Sequence, residues 1–177
     1  MNKYFLDGVL VVEGKSDVSY LSSFISTLYF TTNGYDLSEE KLDFLNRVSA
    51  VNRVIVLTDN DKAGEDIENR IKSKINGVFV RKSRKITRNS SKKSGVAEST
   101  KEVIIEALSD LLYEDKGQLQ KLDYKLNKII SLSDNPSNIK SKIIADYRLI
   151  KGNIKFLESQ LQMLGVKPEE ILSKYGN

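Results

Sequence analysis

A chain of 177 residues, 40% hydrophobic and 29% charged, has the composition of one globular domain or of one domain with a small appendage, not of a disordered segment. It has no cysteine and no histidine, which excludes disulfides, thiolate or imidazole metal sites and every Ser-His or Cys-His nucleophile; catalysis would have to run on carboxylates, Lys, Tyr, Ser or an oxygen-ligated metal. Its 28 basic and 24 acidic residues leave a net charge of +4. No apolar run approaches the ~20 residues of a membrane span and the N-terminal stretch lacks a cleavable signal pattern, so a cytoplasmic protein with no membrane partner is expected.

In chain order, the continuous apolar run Val9–Val12 predicts a strand buried on both faces, as in a parallel sheet, ending at Glu13-Gly14. Ser16 and Asp17 read as capping residues ahead of a helical stretch carrying Val18, Leu21, Phe24, Ile25 and Leu28. Leu28–Thr32 is β-rich and stops at the turn signal Asn33-Gly34. Ser38–Lys41 opens a second helix with Leu42, Leu45 and Val48 on one face. Val54–Leu57 is a second buried strand, ending in Thr58-Asp59-Asn60-Asp61; a helix over Ala63–Lys74 and a short strand over Val78–Val80 follow. Lys82–Gly95 reads as a polar, Ser-rich loop and Glu98–Leu112 as a helix. This alternation predicts an α/β fold with a mostly parallel sheet flanked by helices, in which ligands sit beyond the carboxyl ends of the strands. After Gly117 the strand signal stops. Leu119–Ile130, Ile139–Ile150, Ile154–Leu164 and Glu169–Tyr175 show helical spacing, which predicts a small all-helical domain over residues 117–177.

The charge is unevenly placed. Phe79–Ala97 holds seven cations, Arg81, Lys82, Arg84, Lys85, Arg88, Lys92 and Lys93, and no acid. Gly117–Asn177 holds ten basic against six acidic residues. An acidic body with a basic loop and a basic tail suits a polyanion whose phosphates meet those two elements, although a solvated loop would have the same composition.

Three carboxylates fall at the ends of the two buried strands: Glu13 after the first, Asp59 and Asp61 after the second. If the strands are neighbours, all three converge at one sheet edge, and alternation on an extended chain lets Asp59 and Asp61 face the same side. Carboxylates so close repel strongly and are tolerated mainly around a cation, and oxygen-only ligands suit Mg²⁺ or Mn²⁺.

Glu13-Gly14-Lys15-Ser16-Asp17 after one strand and Thr58-Asp59-Asn60-Asp61-Lys62-Ala63-Gly64-Glu65 after a later one resemble the Toprim signature of primases, topoisomerases and several nucleases. Within that superfamily Thr32-Asn33-Gly34, the basic loop, Gly95-Val96, Glu106-Ala107-Leu108, Gly152-Asn153 and Met163-Leu164-Gly165-Val166 resemble the ribonuclease M-five family, endonucleases that mature the 5S ribosomal RNA precursor. The resemblance implies a Toprim catalytic domain over residues 1–116 and a helical RNA-binding domain over 117–177. It implies Glu13 as general acid/base or metal ligand, and Asp59 and Asp61 as ligands of the divalent cation. It places RNA contacts at Lys15, Asn33 and Lys62 as well as the seven loop cations, and implies a ribosomal protein on the precursor as helper.

Two positions depart from the family. Asn60 stands where a proline is usual between the aspartates. Ala97 stands where a glutamate often follows Gly-Val, leaving Glu98, one position on, as the residue that could replace it as a metal ligand; otherwise Glu98 is an acid in the first turn of a helix starting near Ser99. The function expected is divalent-metal-dependent endonucleolytic cleavage of the 5S precursor. The other readings are a Toprim nuclease acting on DNA and a non-catalytic RNA-binding module.

Overall fold

The computed structural model describes residues 3–34, 37–77, 79–82, 95–117 and 119–176. The loop cations Arg84, Lys85, Arg88, Lys92 and Lys93 lie outside the described residues, and only the backbone of Arg81 and Lys82 is described.

The described residues form two compact units, residues 1–49 with 53–119 and residues 50–52 with 120–177. The first begins with β1 (Tyr4–Val12), α1 (Lys15–Leu21), β2 (Ile25–Thr31), α2 (Glu39–Ser49), β3 (Val54–Thr58), α3 (Lys62–Lys74) and β4 (Phe79–Lys82). It closes with α4 (Lys101–Ala107) and β5 (Leu112–Glu114). β1, β2, β3 and β4 are parallel in the order β2-β1-β3-β4. β5 runs antiparallel to the start of β1, pairing Leu6 with Leu112. The apolar runs occupy the centre of the sheet: Val9, Leu10 and Val11 pair with Val54, Ile55 and Val56, and all six are at most 2% exposed.

Helices cover both faces. Leu21 of α1 and Ile104 of α4 pack with Leu10, Val12, Ile55 and Leu57. On α2, Phe44 stacks on Phe30 of β2 with ring centroids 5.7 Å apart. Burying a side chain of this size contributes roughly 1.5–3 kcal/mol, so this sheet centre is the main source of stability in the unit. Because β1 leads outward to β2 and the chain then crosses back to β3, the connections diverge between the carboxyl ends of β1 and β3. That is where an α/β sheet opens a crevice.

The helical spacing through Ile25 and Leu28 is not realised. α1 ends at Leu21, and the β-branched and aromatic segment Ile25–Thr31 joins the sheet beside β1. The predicted helix over Glu98–Leu112 is shorter at both ends: Val96–Glu98 form a turn, and Leu112 begins β5.

The second unit carries α5 (Leu126–Ser131), α6 (Pro136–Asp146), α7 (Ile154–Met163) and α8 (Pro168–Tyr175). Its core holds Tyr124, Leu126, Ile143, Leu157, Leu161 and Ile171. The wholly buried Gln160 amide returns both backbone hydrogen bonds of Ile150, accepting from its N–H at 2.7 Å and donating to its carbonyl at 2.9 Å. α8 is tied to α6 by Lys174–Asp146 (2.8 Å) and by the Tyr175 hydroxyl donating to Asp146 (2.6 Å). Among the described residues no helix is long and apolar enough to cross a membrane.

Candidate active site

Each acidic residue is placed by a strand end. β1 stops at Val12, so Glu13 emerges at the sheet edge, and its Oε1 accepts the Asp59 N–H at 3.0 Å just beyond β3. The Asp59 carboxylate then reaches the chain before α4, where Oδ1 accepts the Val96 N–H at 2.6 Å. Asp61 caps α3, its Oδ1 accepting the Gly64 N–H at 2.9 Å. The wall opposite is the Thr32–Gly34 turn, held by Thr32 N–H to the Val12 carbonyl (3.0 Å) and Gly34 N–H to the Glu13 carbonyl (3.2 Å). Behind it the buried ammonium of Lys41 donates to the Thr32 carbonyl at 3.1 Å.

These elements enclose a cleft of about 310 Å³ lined by Glu13, Asp17, Asn33, Asp59, Ala97 and Glu98 among others. The structure therefore brings Glu13, Asp59 and Asn33 together. Asp61 does not line this cleft; it is exposed at the start of α3, although its charge is felt by both Glu13 and Asp59. Lys15 and Lys62 are exposed at the starts of α1 and α3, outside the cleft lining.

Two further carboxylates belong to the site. Asp17 is 7% exposed and lines the cleft while its Oδ2 accepts the Gly14 N–H at 2.8 Å. Its sequence signal, an acid four residues beyond Glu13, was that of a helix cap, and it serves as both cap and cleft wall. Glu98 stands three residues ahead of α4, not in its first turn, and its Oε2 accepts the Gly95 N–H at 3.1 Å. Ser99 holds this turn, its hydroxyl donating to the Gly95 carbonyl at 2.8 Å and its own carbonyl accepting from the Tyr20 hydroxyl at 2.7 Å.

Two glycines permit the packing. A Cβ on Gly95 would stand 2.8 Å from Asp59 Oδ2 and 2.5 Å from Glu98 Oε2. A Cβ on Gly64 would overlap the Asp59 carbonyl oxygen and lie 3.0 Å from the Thr58 Cβ.

The crowding shifts protonation. Burial raises the Glu13 pKa, the Asp59 N–H partly offsets this, and the charges of Asp59, Asp61 and Asp17 raise it further. Burial also raises Asp59, against the Val96 N–H and with the charges of Asp17, Asp61 and Glu98. Asp17 is raised by burial and by Glu98, against the hydrogen bond from Gly14. A carboxyl whose folded pKa lies above its unfolded value stabilises the fold fully below the unfolded value, and that contribution is lost as pH rises through the folded value. In metal-free protein Asp59→Asn should therefore gain stability over the parent as pH goes from about 4 to about 7. Paired thermal melts check this; a difference that is constant or shrinks with pH contradicts it.

The family model described as Toprim-like matches residues 10–93 of this chain. The chain is 25% identical to Ribonuclease M5 of Mycoplasma genitalium over 169 residues, 94% of this chain and 93% of that protein. It is 27% identical to Ribonuclease M5 of Fusobacterium nucleatum over 173 residues, 94% and 93% of the two chains. Ribonuclease M5 of Mycoplasma mycoides subsp. mycoides SC is 31% identical over 125 residues, 67% of this chain and 68% of that one.

Proposed function

The chain belongs to the ribonuclease M5 family of Toprim nucleases, and from that premise we propose that it cleaves the 5S ribosomal RNA precursor at the Glu13–Asp59–Asp61 edge of its sheet. The observation that carries this is the hydrogen bond from Asp59 N–H to Glu13, which sets two carboxylates from neighbouring parallel strands over one acidic cleft.

The donor set fits a divalent cation. Every candidate ligand is a carboxylate oxygen, and Glu13 and Asp59 are held where burial and mutual repulsion disfavour their charged forms, a cost that a cation relieves. Among the described residues no group of three acids forms a ready-made metal cage. Magnesium typically takes one or two carboxylates and completes its shell with water and substrate phosphate, so Glu13 and Asp59, which share the cleft, suffice for Mg²⁺ or Mn²⁺, with Asp61 adding its charge from the start of α3. A bound cation supplies stabilisation of the charge that develops on the phosphate oxygens.

The chain's own residues do the rest. Glu13, with its pKa raised, exchanges a proton at its carboxylate with the attacking water or the leaving hydroxyl. Asp17 holds Gly14, and so the direction in which Glu13 leaves β1. Lys15 and Lys62, exposed at the two helix starts, meet phosphates flanking the cut, together with Arg81 and Lys82 at the end of β4 and the cations that follow as far as Lys93. The helical unit contributes further binding to the RNA. A ribosomal protein seated on the precursor serves as helper in this reading.

Glu98 contributes a further carboxylate in place of the one absent at Ala97. Glu98→Gln should raise the metal concentration for half-maximal cleavage by about tenfold, the effect of removing one charge-assisted interaction of roughly 1.5 kcal/mol. Stability should change little, since the amide oxygen can still accept from Gly95. An unshifted midpoint would leave Glu98 as a turn-holding residue only.

Substrate class is tested by offering the purified chain the 5S precursor and plain duplex DNA in Mg²⁺. Discrete cuts in the precursor alone are expected. Equal cutting of the DNA would make the chain a general Toprim nuclease, and binding without cutting would make it an RNA-binding module.

A further inference from the structure

The helical unit contains a concavity of about 1160 Å³ at which four lysines, Lys125, Lys128, Lys140 and Lys155, converge from three helices and the residue before α5. Among the described residues none of these four ammonium groups makes an ion pair or hydrogen bond. The two acids of the same surface are committed to backbone. Asp123 Oδ1 accepts the Lys125 N–H at 3.0 Å, and Glu158 Oε1 accepts the Leu126 N–H at 3.3 Å. Those two bonds brace Lys125 in a left-handed conformation, φ 53°, which costs a non-glycine residue of order 1 kcal/mol and is kept where surrounding structure over-determines it.

One side of the concavity is the start of the ten-residue helix α7. Asn153 caps it by accepting the Phe156 N–H at 2.9 Å, and Ile154 and Lys155, the first two helical residues, line the concavity. Four lysines against two carboxylates leave the lining net positive beside a helix start, which favours anions. A water's share of volume is roughly 30 Å³, so the space admits several phosphates and not one. The lining has a single apolar residue, Ile154, and no aromatic one, so it lacks the anchors on which protein partners usually dock.

We propose that this concavity is the seat of an RNA phosphate backbone, and that it accounts for most of the helical unit's RNA affinity. The proposal rests on the ribonuclease reading above but concerns binding, so it is tested without cleavage. Full-length parent is titrated in excess chelator with the 5S precursor transcript and with an unrelated RNA duplex, over a range of monovalent salt. The cleft variant changes Lys125, Lys128, Lys140 and Lys155 to Ala. A control changes four other exposed lysines of the unit, Lys121, Lys142, Lys151 and Lys167, and so removes the same charge. Thermal melts verify that both variants fold.

Removing one lysine–phosphate interaction should flatten the plot of log affinity against log salt by about 0.7–0.9, so the cleft variant, which removes all four, should drop by roughly 3–4 in slope and by at least about tenfold in affinity near 0.1 M salt. The control should weaken by less than about threefold. Equal weakening of the two variants would mean diffuse surface charge and overturn the proposal, as would parental binding by the cleft variant, which would return this surface to a protein partner. Absence of cleavage by the parent, with the binding difference intact, would instead sink the nuclease reading and leave the RNA seat standing.

Discussion

Asp59→Asn should lower cleavage by ~10²–10⁴ while leaving the fold intact, because under the proposed function it removes a ligand of the cation from the point where the site's charge is concentrated. The substitution is isosteric, and the amide oxygen can still accept the Val96 N–H. It also removes one of the repelling charges that raise Glu13, so the variant should melt at or above the parent's temperature at neutral pH. Asp61→Asn should behave alike, since asparagine is as good a helix cap as aspartate and the bond from Gly64 survives. Single-turnover cleavage and a thermal melt of each variant check this. Parental turnover by either would remove that residue from the metal site, and a collapse in stability would mark it as structural.

Gly64→Ala is the second large effect, and it acts through geometry alone. The new Cβ would overlap the Asp59 carbonyl oxygen and press on Thr58, so the turn from β3 into α3 has to open. That turn is the common root of Asp59, Asp61 and the α3 cap. Overpacking of this kind costs typically 1–3 kcal/mol, and a displacement of about 1 Å in a catalytic group costs on the order of 10² in rate. Urea unfolding and cleavage, the latter at a temperature where the variant is fully folded, separate the two effects. A variant that is destabilised but turns over normally would show that the turn relaxes away from the carboxylates.

The centre of this fold was legible in the chain because continuous apolar runs leave few options. Val9–Val12 and Val54–Leu57 can only be buried on both faces, and a parallel pair of such strands delivers Glu13 and Asp59 to the same edge. Where apolar residues also fit a helical period the reading failed, as at Ile25 and Leu28, because the seven residues of α1 are too few for spacing to outweigh β propensity. β5 was missed because three residues with an exposed face carry no pattern.

The remaining parts of the site depend on long-range contacts that spacing does not encode. Glu98 looked helical, but the Asp59–Val96 bond, between residues 37 positions apart, and the Tyr20–Ser99 bond, across 79, pull this stretch into a turn over the cleft. Asp17 has a local signal that is complete in itself, the cap of α1; its place in the cleft comes from the segment before α4 arriving beside it. For Asp61, simple alternation suggested a side chain alongside Asp59, whereas capping α3 turns it out of the cleft lining.

Metal-dependent cutting at this sheet edge is tested most directly by following cleavage of the 5S precursor by the purified chain as a function of free Mg²⁺, with excess chelator as the zero point and Asp59→Asn run in parallel. We expect no cuts in chelator, a saturable rise with the cation in the parent, and a rate lower by ~10²–10⁴ at every concentration in the variant. Full cleavage in excess chelator, or the same curve for parent and variant, would contradict a carboxylate-held cation at the end of β3.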